Sequence, residues 1–230
     1  MNFIQPPSVT FAQKRFLIFL AGLTLIVILL GGIATSRYGA GAASDSVKYL
    51  AVAQSLLDGN GLFDHRGLPL LSWPPLYSIV LAGLSLVSGL DVFVAGWWFN
   101  VFLLGVNLFL SGVIFWRIFQ TKPLYAYLAS IFVCLSISAL RIHATIFSEP
   151  LYLTMTLGLT LVVDGYIRRG SRRAFAWMVA LSALAPMLRY VGLAVTVTAL
   201  IVIFIENRKA PRVLLRDGFV LGLVSIIPIG

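Results

Sequence analysis

Asp45 and Glu149 are the two carboxylates of this chain best placed to do chemistry. Only eight acidic residues are present in 230, and these two lie in short motifs that interrupt long apolar stretches, Ser44-Asp45-Ser46-Val47-Lys48-Tyr49 and Ser148-Glu149-Pro150-Leu151-Tyr152. A positioned carboxylate can take a proton from a hydroxyl, and a nearby cation can stabilise the charge that develops on a leaving group. Lys48 stands one helical turn from Asp45. Arg189 stands where one apolar run gives way to the next, and a charged cluster converging at a membrane surface is a site candidate. Tyr49, His65, Trp73 and Tyr77 are the candidate substrate contacts. Each residue also has a structural reading. Asp45 can act as a helix N-cap, and Glu149 can sit at a helix N-terminus with Pro150 at the first helical position. Arg189 can snorkel to water. Asp58, Asp64, His65 and Arg66 surround glycine-containing turns that favour such residues for backbone reasons, which leaves His65 as a candidate on the acceptor side. Trp73, Tyr77, Trp97, Trp98 and Tyr152 fit an interfacial aromatic belt, although Trp73, beside Pro74-Pro75, is also suited to stack on a sugar or prenyl unit. His143 is expected at the interface. Asp164 and Arg168 form a structural i,i+4 pair.

The elements that must hold these residues are membrane helices. Hydrophobic residues make up 60% of the chain and charged residues 11%, with a mean hydropathy of +0.98. Several runs approach or exceed helical spanning length, so the expected class is an all-α, polytopic transmembrane protein. The net charge of +9 is carried by clusters between apolar runs, where it sets topology and meets lipid headgroups, so nucleic acid is excluded as a partner. The single Cys134 lies inside an apolar run and offers no disulfide and no zinc-type cluster. The first run, 16–34, is longer than a signal-peptide core and is read as a retained anchor.

Later apolar runs cover 76–90, 97–119, 124–140, 151–167, 174–188, 191–205 and 219 onward. If all crossed, three successive basic loops would fall outside, against the positive-inside rule. Making 76–90 a non-spanning helix restores the rule. That run follows Pro74-Pro75, and as a helix it reaches only ~22 Å against a ~30 Å hydrocarbon core. The expectation is about seven crossings, with an outer loop over 35–96 that contains juxtamembrane helices. A second outer turn falls near 141–150, so both acidic motifs face one side. The segments 174–188 and 191–205 form a short hairpin with Arg189-Tyr190 at its apex. The last run reaches only ~18 Å, so the chain is read as one membrane domain, 1–230, from the N-terminal part of a longer protein.

Taken in order, Asp45-Ser46-Val47-Lys48-Tyr49, Trp73-Pro74-Pro75-Leu76-Tyr77 and Ser148-Glu149-Pro150-Leu151-Tyr152 resemble the motifs of the C-type integral-membrane glycosyltransferases, particularly the lipid A aminoarabinose transferase and protein O-mannosyltransferase relatives. The resemblance covers most of the chain. It implies a polyprenyl-phosphate sugar donor and an acceptor hydroxyl on a lipid, glycan or protein outside the cytoplasm, in a multi-pass protein of the bacterial cytoplasmic membrane. Asp45 matches the first-loop acid that activates the acceptor, and Glu149 matches the second acidic position. Two departures stand out: Trp73 replaces the lysine that the aminoarabinose transferases place before Pro-Pro, and Ser46 stands where a second acid is common. Lys48 and Arg189 then have to supply the phosphate charge.

The expected reaction is a direct inverting displacement with Asp45 as base, Arg189 and Lys48 near the donor phosphate, and Glu149 orienting the acceptor or a divalent ion. A divalent cation is compatible with this set, but no metal ligands are assigned, because hard cations need several oxygen donors. The competing readings are a secondary transporter fragment, which would place its charges at the bilayer midplane between inverted repeats, and a non-catalytic membrane scaffold.

Overall fold

Ten helices run through the described part of the computed structural model, which comprises residues 10–37, 39–70, 73–208 and 210–226. They are α1 (Phe11–Thr35), α2 (Ser44–Leu57), α3 (Leu76–Ser88), α4 (Val92–Ile118), α5 (Pro123–Cys134), α6 (Ile137–His143), α7 (Glu149–Arg169), α8 (Arg172–Leu188), α9 (Leu193–Asn207) and α10 (Pro211–Ile226). A 3₁₀ turn at Tyr190–Gly192 joins α8 to α9. Among the described residues, pairing of the β type is limited to two isolated bridges. The chain is an all-α, polytopic membrane protein. Four helices, α1, α4, α7 and the Tyr190–Asn207 segment, are long and apolar enough to cross a bilayer.

The expected crossings are met unevenly. The run 124–140 is not one straight helix: α5 and α6 meet at a 51° bend, because Ser136 accepts a hydrogen bond from the Ala139 amide and so caps a new helix. Counted together they make a fifth candidate span. Helix α8 forms where its apolar run predicts it, whereas α10 begins at Pro211, ahead of the run at 219, and takes in Arg212 and Arg216; at 17 and 16 residues both are shorter than an ordinary span.

Helix α4 is the central post, packed by α1, α3, α5 and α7. Lipid gives no hydrophobic drive for helices to associate, so close contact relies on small residues. Gly112 faces Leu20, Gly105 faces Ile28 and Thr24, and Gly32 faces Trp98. This order makes α1 antiparallel to α4. Trp97 closes the seam by donating from Nε1 to Thr35 Oγ1 at 2.7 Å.

Helix α3 is too short to count among the candidate spans. Gly89 ends it in a left-handed conformation (φ 69°) that glycine adopts without strain, and Asp91 then caps α4. Leu81 packs on Gly96 and the Tyr77 hydroxyl reaches Asn100, so α3 doubles back along the first turns of α4. Its 13 residues span only ~20 Å.

The charges therefore collect at two ends. At one, Asp164 accepts from Arg117 of α4 at 2.6 Å and from Arg168 at 2.5 Å, which gives the expected i,i+4 pair a third member. Phe16 stacks on Trp116 close by, with ring centroids 4.8 Å apart. Tyr166 meets Asn207 and Asp217, which brings in α9 and α10. The other end carries α2, α3, the start of α7 and the α8–α9 apex.

Candidate functional site

The two acidic motifs are tied together through the backbone. Gly41 N–H donates to the Ala144 carbonyl at 2.7 Å, and the Ile146 amide returns a bond to the Gly41 carbonyl at 2.9 Å. A side chain at Gly41 would press on Thr145, its Cβ lying 3.2 Å from Oγ1. This bridge clasps the connection entering α2 to the connection entering α7.

Helix α2 begins without its expected cap. Ala43 occupies the N-cap position, and its own amide donates to Ser46 Oγ at 2.9 Å. Asp45 is therefore not the N-cap. It lies in the first turn, where the helix dipole favours a carboxylate. Its only hydrogen bond among the described residues comes from the Ser44 hydroxyl at 3.4 Å, and it forms no ion pair there.

Glu149 is committed elsewhere. As the first residue of α7, it forms an ion pair with Arg189 Nη1 at 2.5 Å. The same guanidinium donates to Ser148 Oγ at 3.2 Å, and that hydroxyl also meets Tyr49 OH at 3.1 Å. Ser148 is fully buried and holds together three segments far apart in sequence. Tyr49 is buried as well, which pushes its phenol above the ordinary tyrosine range, while the Ser148 hydrogen bond and the Arg189 charge oppose that rise.

Arg189 owes its position to the hairpin apex. Helix α8 stops at Leu188, Arg189 turns to extended backbone, and the 3₁₀ turn folds Gly192 onto the Ala185 carbonyl and Pro186. A cavity of about 240 Å³ opens at this apex, lined by Tyr49, Trp73, Pro74, Leu188, Arg189, Tyr190 and Val191. It pairs one cation with an aromatic and aliphatic wall.

The remaining expected residues divide around Trp73. Lys48 Nζ lies 4.3 Å from the Trp73 ring centroid, a cation–π contact. It lines a neighbouring cavity of about 300 Å³ with Asp64, Arg66 and Leu70, so the two expected phosphate cations lie on different cavities. Trp73 is common to both cavities and meets Tyr49 edge-on at 5.9 Å. Tyr77 is fully buried, donates to Asn100 Oδ1 at 3.2 Å and packs on Tyr49 at 4.9 Å. It is a buried support for the Tyr49 ring. His65 is exposed in the turn between Asp64 and Arg66 and lines neither of these cavities. Arg66 grips Asp64 through Nε and Nη2 at 3.0 and 2.8 Å, and this hydrogen bonding holds the Asp64 carboxyl at about 2.

His143, expected at the interface, is buried. The bend between α5 and α6 turns it inward, where Nδ1 donates to the Ala139 carbonyl and Nε2 accepts from Asn107 Nδ2 at 2.9 Å. Sequence reading missed Ser148, Asn100 and Asn107 as contributors. A lone serine before Glu-Pro and lone asparagines in an apolar run give no periodic signal.

Among the described residues no group of three His, Cys, Asp or Glu side chains gathers as a metal site. A divalent cation at this end would need oxygen ligands from substrate phosphate as well as from the acids. No family model matches the chain, and no curated protein or solved structure matches it either.

Proposed function

We propose that the protein is a membrane glycosyltransferase that moves a sugar from a polyprenyl-phosphate donor to an acceptor hydroxyl on a lipid, glycan or protein, with inversion. One observation carries the reading. A carboxylate that forms no ion pair among the described residues, Asp45, and an anchored cation, Arg189, are gathered about Tyr49 beside an apolar, aromatic-walled cavity. That combination suits a substrate with a greasy tail, a phosphate and a reacting hydroxyl.

In this scheme Asp45 takes the proton from the acceptor hydroxyl, whose oxygen attacks the anomeric carbon from the face opposite the phosphate. The bond from that carbon to the phosphate oxygen breaks, and the phosphate leaves with the electron pair. It needs no proton, only positive charge, which Arg189 supplies and Lys48 reinforces from across Trp73. Glu149 keeps the guanidinium aimed and stops it from snorkelling away. This replaces the acceptor-orienting role that its motif alone suggests. The positive-inside rule places the Arg117–Asp164–Arg168 end in the cytoplasm and the reaction on the outer face of a bacterial cytoplasmic membrane.

The test is transfer of labelled sugar from a panel of polyprenyl-phosphate sugars to membrane acceptors. Wild type is compared with Asp45→Asn at matched expression. Loss of a general base is expected to lower transfer by roughly 10²–10⁴-fold. Donor-dependent transfer that survives the substitution removes Asp45 from the chemistry, and no transfer from any donor by wild type sinks the reading.

A further inference from the structure

Two asparagines one heptad apart on α4 grip the segment that carries Ser148 and Glu149. Asn100 Nδ2 donates to the Thr145 carbonyl at 2.6 Å, and Asn107 Nδ2 donates to the Pro150 carbonyl at 2.9 Å. Both side chains are buried, at 0% and 4% exposure. Each has its own oxygen fixed in turn: Asn100 Oδ1 accepts from Tyr77 OH at 3.2 Å, and Asn107 Oδ1 accepts from Thr154 Oγ1 at 2.7 Å. His143 Nε2 completes the second set. A primary amide carries two donors and one acceptor oxygen, so it can hold a carbonyl on one side while being locked from the other.

These bonds span the whole approach to α7. Thr145 lies in the bridge to Gly41, Ser148 and Glu149 lie between the two gripped carbonyls, and the segment has no helix of its own before Glu149. The Asn100 branch also reaches Tyr49 from its other side, because Tyr77 packs its ring edge-on against the Tyr49 ring at 4.9 Å. Tyr49 is thus held at its ring through Asn100 and Tyr77, and at its hydroxyl through Ser148.

We infer that Asn100 and Asn107 are positioning residues that set the register of Ser148 and Glu149 against Tyr49 and Arg189. They do not serve merely as polar contacts between helices. A generic interhelical hydrogen bond would stabilise the bundle and leave the Tyr49 hydroxyl unchanged. A positioning pair makes that hydroxyl sensitive to side chains it never touches. The inference rests on the proposed transfer only for its activity readout.

The experiment places fluorotyrosine at position 49 of the full chain in detergent micelles and follows it by fluorine NMR. Ser148→Ala marks the resonance of a Tyr49 hydroxyl without its partner. Asn107→Leu and Asn100→Leu are expected to move the resonance toward that position while the protein stays folded by thermal melt. If transfer activity is present, they are expected to lower kcat on the order of 10²-fold with KM little changed, since catalytic groups displaced by about 1 Å lose that much. A folded leucine variant whose Tyr49 resonance stays at the wild-type position overturns the inference. Should neither leucine variant fold, Thr154→Val decides, because it removes the hydroxyl that reaches both Asn107 Oδ1 and the Pro150 carbonyl it grips, and an unmoved resonance there overturns it too. The resonance needs no sugar donor, so a wild-type protein without transferase activity refutes the transfer reading and leaves the positioning inference to be judged by NMR.

Discussion

Gly192→Ala is a one-carbon change that should unseat Arg189. At Gly192 an added Cβ would lie 2.5 Å from Pro186 N and closer still to the Ala185 carbonyl. Ordinary contact begins near 3.4 Å, so the hairpin must open by about 0.9 Å or more at this point. The obstructing atoms are helix backbone and cannot swing aside. Arg189 is the C-cap of α8 and lies just before the 3₁₀ turn, so it travels with that opening. A shift near 1 Å would stretch the 2.5 Å pair to Glu149 and the 3.2 Å bond to Ser148 beyond hydrogen-bonding range. Overpacking of this kind typically costs 1–3 kcal/mol. The lost ion pair adds little, because Arg189 and Glu149 are 34% and 38% exposed and solvent screens them. Thermal melting in detergent reads the first effect. Mass-spectrometric labelling of Arg189 with an arginine-selective dicarbonyl reads the second, with faster labelling expected in the variant. Gly83→Ala is the control, since nothing lies within 4 Å of a Cβ there. Unchanged melting and unchanged labelling in Gly192→Ala would refute the account of how the apex holds its cation.

The α1–α4 seam should also be intolerant: Gly112→Val drives a side chain into Leu20, which is fully buried, and melting should show a loss of about 1–3 kcal/mol. The Asp64 carboxyl has its pKa depressed from 3.8 to about 2, so its contribution to loop order is complete above 3.8 and disappears as pH falls toward 2. Limited proteolysis of the 60–70 loop should therefore accelerate only in that acid window, and Asp64→Asn should remove the dependence. For topology, a cysteine at Arg172 should be shielded from an impermeant thiol reagent added outside cells and one at Asp64 should react; labelling at Arg172 would reverse the orientation.

The sequence made the large elements legible because apolar length and basic clusters are strong, additive signals. The break at Arg189-Tyr190, a short helix within 76–90 and the approach of the two acidic motifs to each other all follow from them, and the structure has each. The pairing inside the site was hidden. Whether Glu149 or Asp45 would take Arg189 depends on where the apex lands, which no pattern encodes. His143 was misplaced because a bend at Ser136 cannot be told from a straight helix by hydropathy. Asn100 and Asn107 read as isolated polar interruptions, and their meaning lies in carbonyls contributed by another segment.

The backbone clasp between Gly41 and Thr145 has a consequence for biogenesis. A ribosome delivers the chain from its N-terminus, so α2 emerges long before the segment that completes it, and Tyr49 waits 99 residues for Ser148. During that interval the Gly41 amide and carbonyl have no partner. In hydrocarbon such orphans cost several kcal/mol each, so the nascent loop is expected to stay in water until the segment after α6 has been made. Arg189 arrives last, after α8 has been made. A chain stalled before the end of that helix would carry Glu149 and Ser148 without the guanidinium that joins them.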